Sequence, residues 1–280
     1  MNKRNPKSIA IKLKQSGHKI KIGGIGVSIG PFKTTKDEIA VHEYLKSMDF
    51  LSLRDEYSYQ YTSSLQLPYK PVNAFDLAAL LPEVYSFEKS EVNLPSDKKK
   101  VVGISVCPYE SIVKLDIEYE KSRNNNIVEI IKELDRQEDI HFKFYIINGN
   151  ERVGDKTLTY ETINGATPKS FEVIDYNINT QMTWMSIAEC DFIVSTRLHA
   201  AIFACFAEVP FMLNEYHRKC EDFLDNVGYE ESYRLYNNKY DVKEKASQII
   251  SILQDNNYKK PLYVADMKSR AKLNFTSIKL

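Results

Sequence analysis

The chain has 280 residues, 43% hydrophobic and 27% charged, proportions of a folded globular protein rather than a disordered one. Its 38 basic and 38 acidic residues cancel, so no whole-chain field favours nucleic acid. No apolar run approaches the roughly 18 residues of a membrane helix, and the N-terminal MNKRNPKSIAIKLKQSG lacks an apolar core of signal-peptide length.

In chain order, Ser8–Gln15 is expected to form a short helix ending at Gly17, and Lys19–Ile29 a strand stopped by Gly30-Pro31. Thr34 or Thr35 can cap a helix over Lys36–Met48, with Asp37 and Glu38 suiting its positive N-terminal end. A strand at Phe50–Leu53, a helix at Glu56–Ser63 and a helical or irregular stretch at Asp76–Leu81 follow. Glu88–Lys100, with its proline and triple lysine, has the composition of a linker. Beyond it, Val101–Val106 is a near-continuous apolar run, the pattern of a strand buried on both faces. Strands are expected next at His141–Ile147, Phe171–Ile174, Phe192–Val194 and Pro210–Leu213. Helices are expected at Asn126–Arg136, Thr180–Glu189, Leu198–Ala207, Lys219–Asn226 before Gly228, and Val242–Leu253. Alternating strand and helix imply an α/β protein of two Rossmann-like lobes with parallel sheets, the first shortened. The expected divisions are 1–96 for a partial N-terminal lobe, 97–256 for the C-terminal lobe, and 257–280 for a segment returning to the first.

Cys107, Cys190, Cys205 and Cys220 are scattered without metal-ligand spacing, which indicates reduced core fillers, a cytoplasmic protein and no structural metal. Nine lysines or arginines precede the first acid, Asp37, and the last 24 residues carry six bases against one acid, so either end could touch an anionic surface or be a solvated face. The cluster GGIGVSIG at Gly23–Gly30 misses the dinucleotide-binding spacing, and no helix opens on it.

The chemistry concentrates at Cys190–Leu213, CDFIVSTRLHAAIFACFAEVPFML. Ser195-Thr196-Arg197-Leu198-His199 falls where a strand gives way to a helix, the place where doubly wound sheets bind ligands. Free N–H groups of the helix's first turn and the fork-shaped Arg197 favour an anion, and His199 can deliver a proton near neutral pH. Read alone, the arginine pairs with an acid as readily as with a ligand, and the histidine serves equally well as a core residue. Tyr216-His217-Arg218-Lys219 opens the next helix and offers Lys219 as a second cation, and Arg54 ends a strand of the first lobe with an Arg–Asp surface pair as its plain alternative.

The blocks GVSIGPF (26–32), SLRDEYS (52–58), Asp76-Leu77-Ala78, VGISV (102–106), MSIAECDFIVSTRLH (185–199) and Val209 through Gly228 resemble, in the same order, the polysaccharide pyruvyl transferase family. That resemblance implies a GT-B type fold and transfer of a pyruvyl unit from phosphoenolpyruvate to a sugar as a cyclic ketal. It implies His199 as general acid, and Arg197, the Leu198 backbone, Arg54, Tyr216 and Lys219 as substrate-binding groups. Phosphoenolpyruvate is then the donor substrate, no cofactor or metal is needed, and the partner is a saccharide or lipid-linked saccharide, with room for a peripheral contact at the inner membrane face. Two departures stand out. The family's Gly-Asn-x-Gly-Asp turn and N-terminal half-lobe are not found in the chain, and Cys107 stands where many members carry arginine. Competing expectations are a nucleotide-sugar glycosyltransferase, with Glu215 or Glu221 on the ribose, and a truncated non-catalytic binding module.

Overall fold

The computed structural model describes residues 6–85, 99–237 and 239–278. They fall into two compact units, Met1–Leu80 with Ala265–Leu280, and Leu81–Val264. Most of the linker expected at Glu88–Lys100 lies outside the described residues; its last residue, Lys100, opens a strand.

The first unit begins with α1 (Pro6–Gln15), whose chain reverses at Gly17 in the left-handed region (φ +83°), as a helix C-terminus commonly requires. Then come β1 (Gly23–Val27), α2 (Thr35–Lys46), β2 (Phe50–Leu53), α3 (Glu56–Ser63) and the two-residue β3 (Val72–Asn73). Thr34 caps α2 by accepting from Asp37 N at 3.2 Å, and Asp55 caps α3 by accepting from Ser58 N at 2.9 Å. The three strands are parallel in the order β1-β2-β3, and the central Leu51, Ser52 and Leu53 are wholly buried. A 3₁₀ turn at Leu77–Leu80 closes this part.

The second unit holds α4 (Leu81–Val84), β4 (Lys100–Ser105), α5 (Glu110–Val113), α6 (Ile117–Gln137), β5 (Ile140–Tyr145), α7 (Lys156–Ala166), β6 (Phe171–Ile174) and α8 (Thr180–Ala188). It continues with β7 (Phe192–Ser195), α9 (Leu198–Phe206), β8 (Phe211–Asn214), α10 (Arg218–Val227), β9 (Arg234–Leu235) and α11 (Val242–Asp255). All six strands are parallel, in the order β6-β5-β4-β7-β8-β9. The two central strands, β4 and β7, are sandwiched between helices, which is why Val102, Ile104, Phe192, Ile193 and Val194 are all buried. Strand order reverses between β4 and β7, so the chain leaves their carboxyl ends in opposite directions and opens a crevice there. All four cysteines are buried free thiols.

The last helix, α12 (Val264–Thr276), is bonded to the first unit's sheet through Asn274. Its Oδ1 accepts from Gly26 N at 2.9 Å and Ser52 Oγ at 2.5 Å, and its Nδ2 donates to Phe75 O at 2.8 Å. Gly26 has φ +60° and lies against Leu77, so a side chain there would be both strained and crowded. Among the described residues, no helix is long and apolar enough to cross a membrane.

Candidate functional site

The crevice at the end of β4 and β7 is built by backbone bonds first. The carbonyl of Ser105, last in β4, accepts from Thr196 N at 2.7 Å and Arg197 N at 3.4 Å, drawing the β7–α9 turn onto the neighbouring strand. Ser195 Oγ donates to Arg197 O at 2.7 Å, which fixes Arg197 in extended geometry as the residue preceding the helix. Arg197, the residue before α9, makes no side-chain capping bond, and its carbonyl accepts from Ala200 N at 3.1 Å, closing the first turn. Leu198 and His199 are the first two residues of that helix, both half-buried at its positive end. The following seven residues are all buried, so the turn is carried on a rigid core helix.

Arg197 is not held by backbone alone. Its Nε donates to Asp155 Oδ2 at 3.2 Å and its Nη2 donates to Asp155 Oδ1, a two-pronged pair. Asp155 is completely buried at the start of α7, and its Oδ2 also accepts from Asn148 N at 2.8 Å. Burial pushes the Asp155 carboxyl above its ordinary value despite the pull of Arg197. Burial works against the charge on Arg197 too, but Cys107 and Asp155 beside it hold its pKa above the usual value. Asp155 thus occupies one edge of the guanidinium, and Nη1 lies outside that pair.

Cys107 lies against this arginine. Its thiol, 1% exposed, is pushed up to about 11 by burial, and it is hydrogen-bonded to Tyr216. Tyr216, whose hydroxyl burial also lifts, follows β8 and packs edge-on to Tyr109 at 5.1 Å between ring centroids. Beneath its ring sits the Arg123 guanidinium, 5.1 Å from the centroid. Arg123 is 2% exposed and survives burial because both its Nη atoms donate to Glu110, at 2.9 and 2.7 Å, and Nη1 also donates to Asn237 Oδ1 at 3.2 Å. His217 caps α10, its Nδ1 accepting from Lys219 N at 3.1 Å. Burial, with Lys219 and Arg218 nearby, depresses the His217 pKa and keeps the ring a neutral acceptor.

Of the residues expected from sequence, Arg197, Leu198 and His199 share one turn at the crevice, and Tyr216 joins them through Cys107. Lys219, half-buried, stands in the first turn of α10 at the same edge of the sheet. Arg54 belongs to the first unit, where its Nη1 donates to Asp76 Oδ2 at 2.8 Å, an Arg–Asp pair with a buried aspartate rather than the surface pair weighed from the sequence. Sequence reading missed Asp155, Tyr109 and the Arg123–Glu110 pair. The Asp155 signal was present as an acid directly before a helix, but no helix was assigned over Lys156–Ala166.

The model of the polysaccharide pyruvyl transferase family matches residues 4–218. No curated protein matches the chain. Among solved structures, UDP-GlcNAc 2-epimerase from Methanocaldococcus jannaschii is 15% identical with a TM-score of 0.59, the alignment covering 95% of this chain and 71% of that one. UDP-GlcNAc 2-epimerase from Neisseria meningitidis bound to UDP-GlcNAc is 10% identical, TM-score 0.56, covering 97% and 72%. A UDP-forming α,α-trehalose-phosphate synthase from Burkholderia xenovorans is 12% identical, TM-score 0.52, covering 97% and 69%. At such identities the likeness is one of fold, the Rossmann-like GT-B fold.

Proposed function

The chain belongs to the polysaccharide pyruvyl transferase family, and from that premise we propose that it transfers a pyruvyl group from phosphoenolpyruvate to a saccharide of a surface polysaccharide or its precursor. The observation that carries this reading is the Arg197-Leu198-His199 turn, which heads α9 where strand order reverses and holds Arg197 on buried Asp155. Phosphoenolpyruvate brings a carboxylate and a phosphate, and the turn offers them backbone donors, the Arg197 charge and, from the next helix, Lys219.

In the proposed reaction, His199 in its imidazolium form donates a proton to the methylene carbon of phosphoenolpyruvate, and the double-bond electrons form that C–H bond. Carbon 2 becomes oxocarbenium-like, and a saccharide hydroxyl adds to it. A second hydroxyl then displaces phosphate and closes the ketal. Of the two protons lost by the hydroxyls, one restores His199 and one leaves on the phosphate. Asp155 holds Arg197 in place through this sequence, while buried Cys107 remains a neutral thiol and supplies no charge.

A nucleotide-sugar donor is the competing chemistry, and Glu215 was one of two candidates to bind its ribose. That carboxylate is committed to Arg234, whose Nε donates to it at 2.7 Å, with Arg234 Nη1 also 2.8 Å from Asp225. Thermal-shift titration separates the donors, because a ligand that binds only the folded state raises the melting temperature. Phosphoenolpyruvate is expected to raise it and UDP-GlcNAc to leave it unchanged; the opposite pattern overturns the proposal.

A further inference from the structure

Beside the crevice, at the carboxyl ends of β4, β5 and β6, the second unit has an open cleft of about 1060 Å³, as large as the upper end of the roughly 300–1,000 Å³ of small-molecule sites. Its wall includes Pro108 and Gly154, each next in sequence to a group that acts on Arg197, namely Cys107 and Asp155. The mechanism above makes no use of it.

The floor is a prebuilt loop. Asn148 Nδ2 donates to Val153 O at 2.9 Å, and Asn150 Oδ1 accepts from Arg152 N at 2.9 Å and Val153 N at 3.1 Å. Gly149 lets the Tyr176 ring pack directly on this backbone, since a Cβ there would come within 2.4 Å of the ring. Tyr176 is nonetheless 54% exposed, an aromatic surface open to the cleft. Four carboxylates line the cleft, Glu151, Glu161 and Asp175 on exposed positions and Glu120 buried and bonded to Ser111, against the cations Arg152 and Lys156. Lys156 lies 3.9 Å from Asp175, which spends part of that positive charge internally. The balance is slightly acidic, and it disfavours phosphate or nucleotide. Carboxylate and amide oxygens instead accept from hydroxyl groups, and an exposed aromatic ring takes the apolar C–H face of a pyranose.

We propose that this cleft binds a neutral saccharide, with Tyr176 as the stacking surface and Glu161 and Asp175 as hydroxyl acceptors. That the saccharide is the acceptor of the transfer rests on the reading above; the saccharide chemistry of the cleft does not. The fixed loop binds without first being ordered, which favours a weakly held sugar ring.

Saturation-transfer NMR on the full chain tests it, with methyl β-D-galactoside, methyl β-D-glucoside and methyl N-acetyl-β-D-glucosaminide as probes and phosphorus NMR of phosphoenolpyruvate in parallel. At least one glycoside is expected to receive saturation, and Tyr176→Ala to weaken its apparent affinity roughly 2–10-fold, the contribution of an aromatic contact. Glu161→Gln, isosteric and exposed, is expected to weaken it as well, and neither change to alter the phosphoenolpyruvate signal. No transfer to any of the three glycosides, or transfer indifferent to both substitutions, overturns the proposal. So does a stronger response to uridine 5′-monophosphate that Tyr176→Ala abolishes. Glycoside binding without phosphoenolpyruvate binding would support the saccharide cleft and count against pyruvyl transfer.

Discussion

Replacing Arg197 by alanine strips the Asp155 carboxylate of its counter-charge while leaving it buried at 0% exposure. Removing one member of a buried pair costs roughly 3–5 kcal/mol, and for a unit of 150–250 residues each kcal/mol lowers the melting temperature by roughly 2–4 °C. A fall of about 6–20 °C is therefore expected for Arg197→Ala. Asp155→Ala is expected to cost less, because Arg197 is 21% exposed and can turn toward water. The double variant is expected to recover part of the loss, with a coupling of roughly 0.5–3 kcal/mol. The deficit also depends on pH. Burial already lifts Asp155 above the ordinary 3.8 against the pull of Arg197. Without the arginine its folded pKa rises further, so stability present below the unfolded value is lost as pH rises through the folded one. Arg197→Ala is thus expected to be nearer wild type at pH 5 than at pH 8. Urea unfolding of the four chains at both pH values measures all of this. Costs that add within about 0.5 kcal/mol, with no pH dependence, would refute the clamp.

The depressed pKa of His217 means that protonation opposes the fold. Stability from this cap is present above the ordinary 6.5 and lost as pH falls below it, and His217→Asn, which caps without titrating, is expected to flatten the acid limb of a melting-temperature profile. Cys107 and Cys190 are both pushed up to about 11, so the stability they contribute is complete below pH 9.0 and falls as pH rises toward 11. Cys107 is accordingly expected to resist iodoacetamide at pH 8 until the chain unfolds, as peptide mass spectrometry would show. Asn274→Ala removes the acceptor of the Ser52 hydroxyl and the amide donor to Phe75 O, while Gly26 N–H keeps Ser52 Oγ at 3.0 Å, and at roughly 1–3 kcal/mol for a stranded group it is expected to loosen α12 measurably in hydrogen exchange.

What could be read from the sequence was what rests on apolar periodicity and punctuation. Phe50–Leu53, Glu56–Ser63 and Phe171–Ile174 were expected at the observed bounds, because each is a short run closed by turn or cap residues. The helix expected at Asn126–Arg136 runs from Ile117 to Gln137. Its first turns, for which no element was expected, bury Glu120 and Arg123, whose partners Ser111 and Glu110 lie on the preceding segment and could not be inferred from periodicity. β3 and β9 were missed because two-residue strands carry no pattern. At the site, the Arg-Leu-His turn was legible as a strand-to-helix junction. The Asp155 clamp and the Tyr216–Cys107 contact were not, since they join residues brought together only by strand order.

The most direct test is phosphate release from phosphoenolpyruvate in the presence of saccharide, compared between wild type and His199→Gln at equal folded fraction. Release is expected to fall roughly 10²–10⁴-fold while phosphoenolpyruvate affinity stays nearly unchanged, the mark of a lost general acid. A variant that melts early yet keeps full specific activity in its folded fraction would make His199 a structural residue and contradict the proposed transfer.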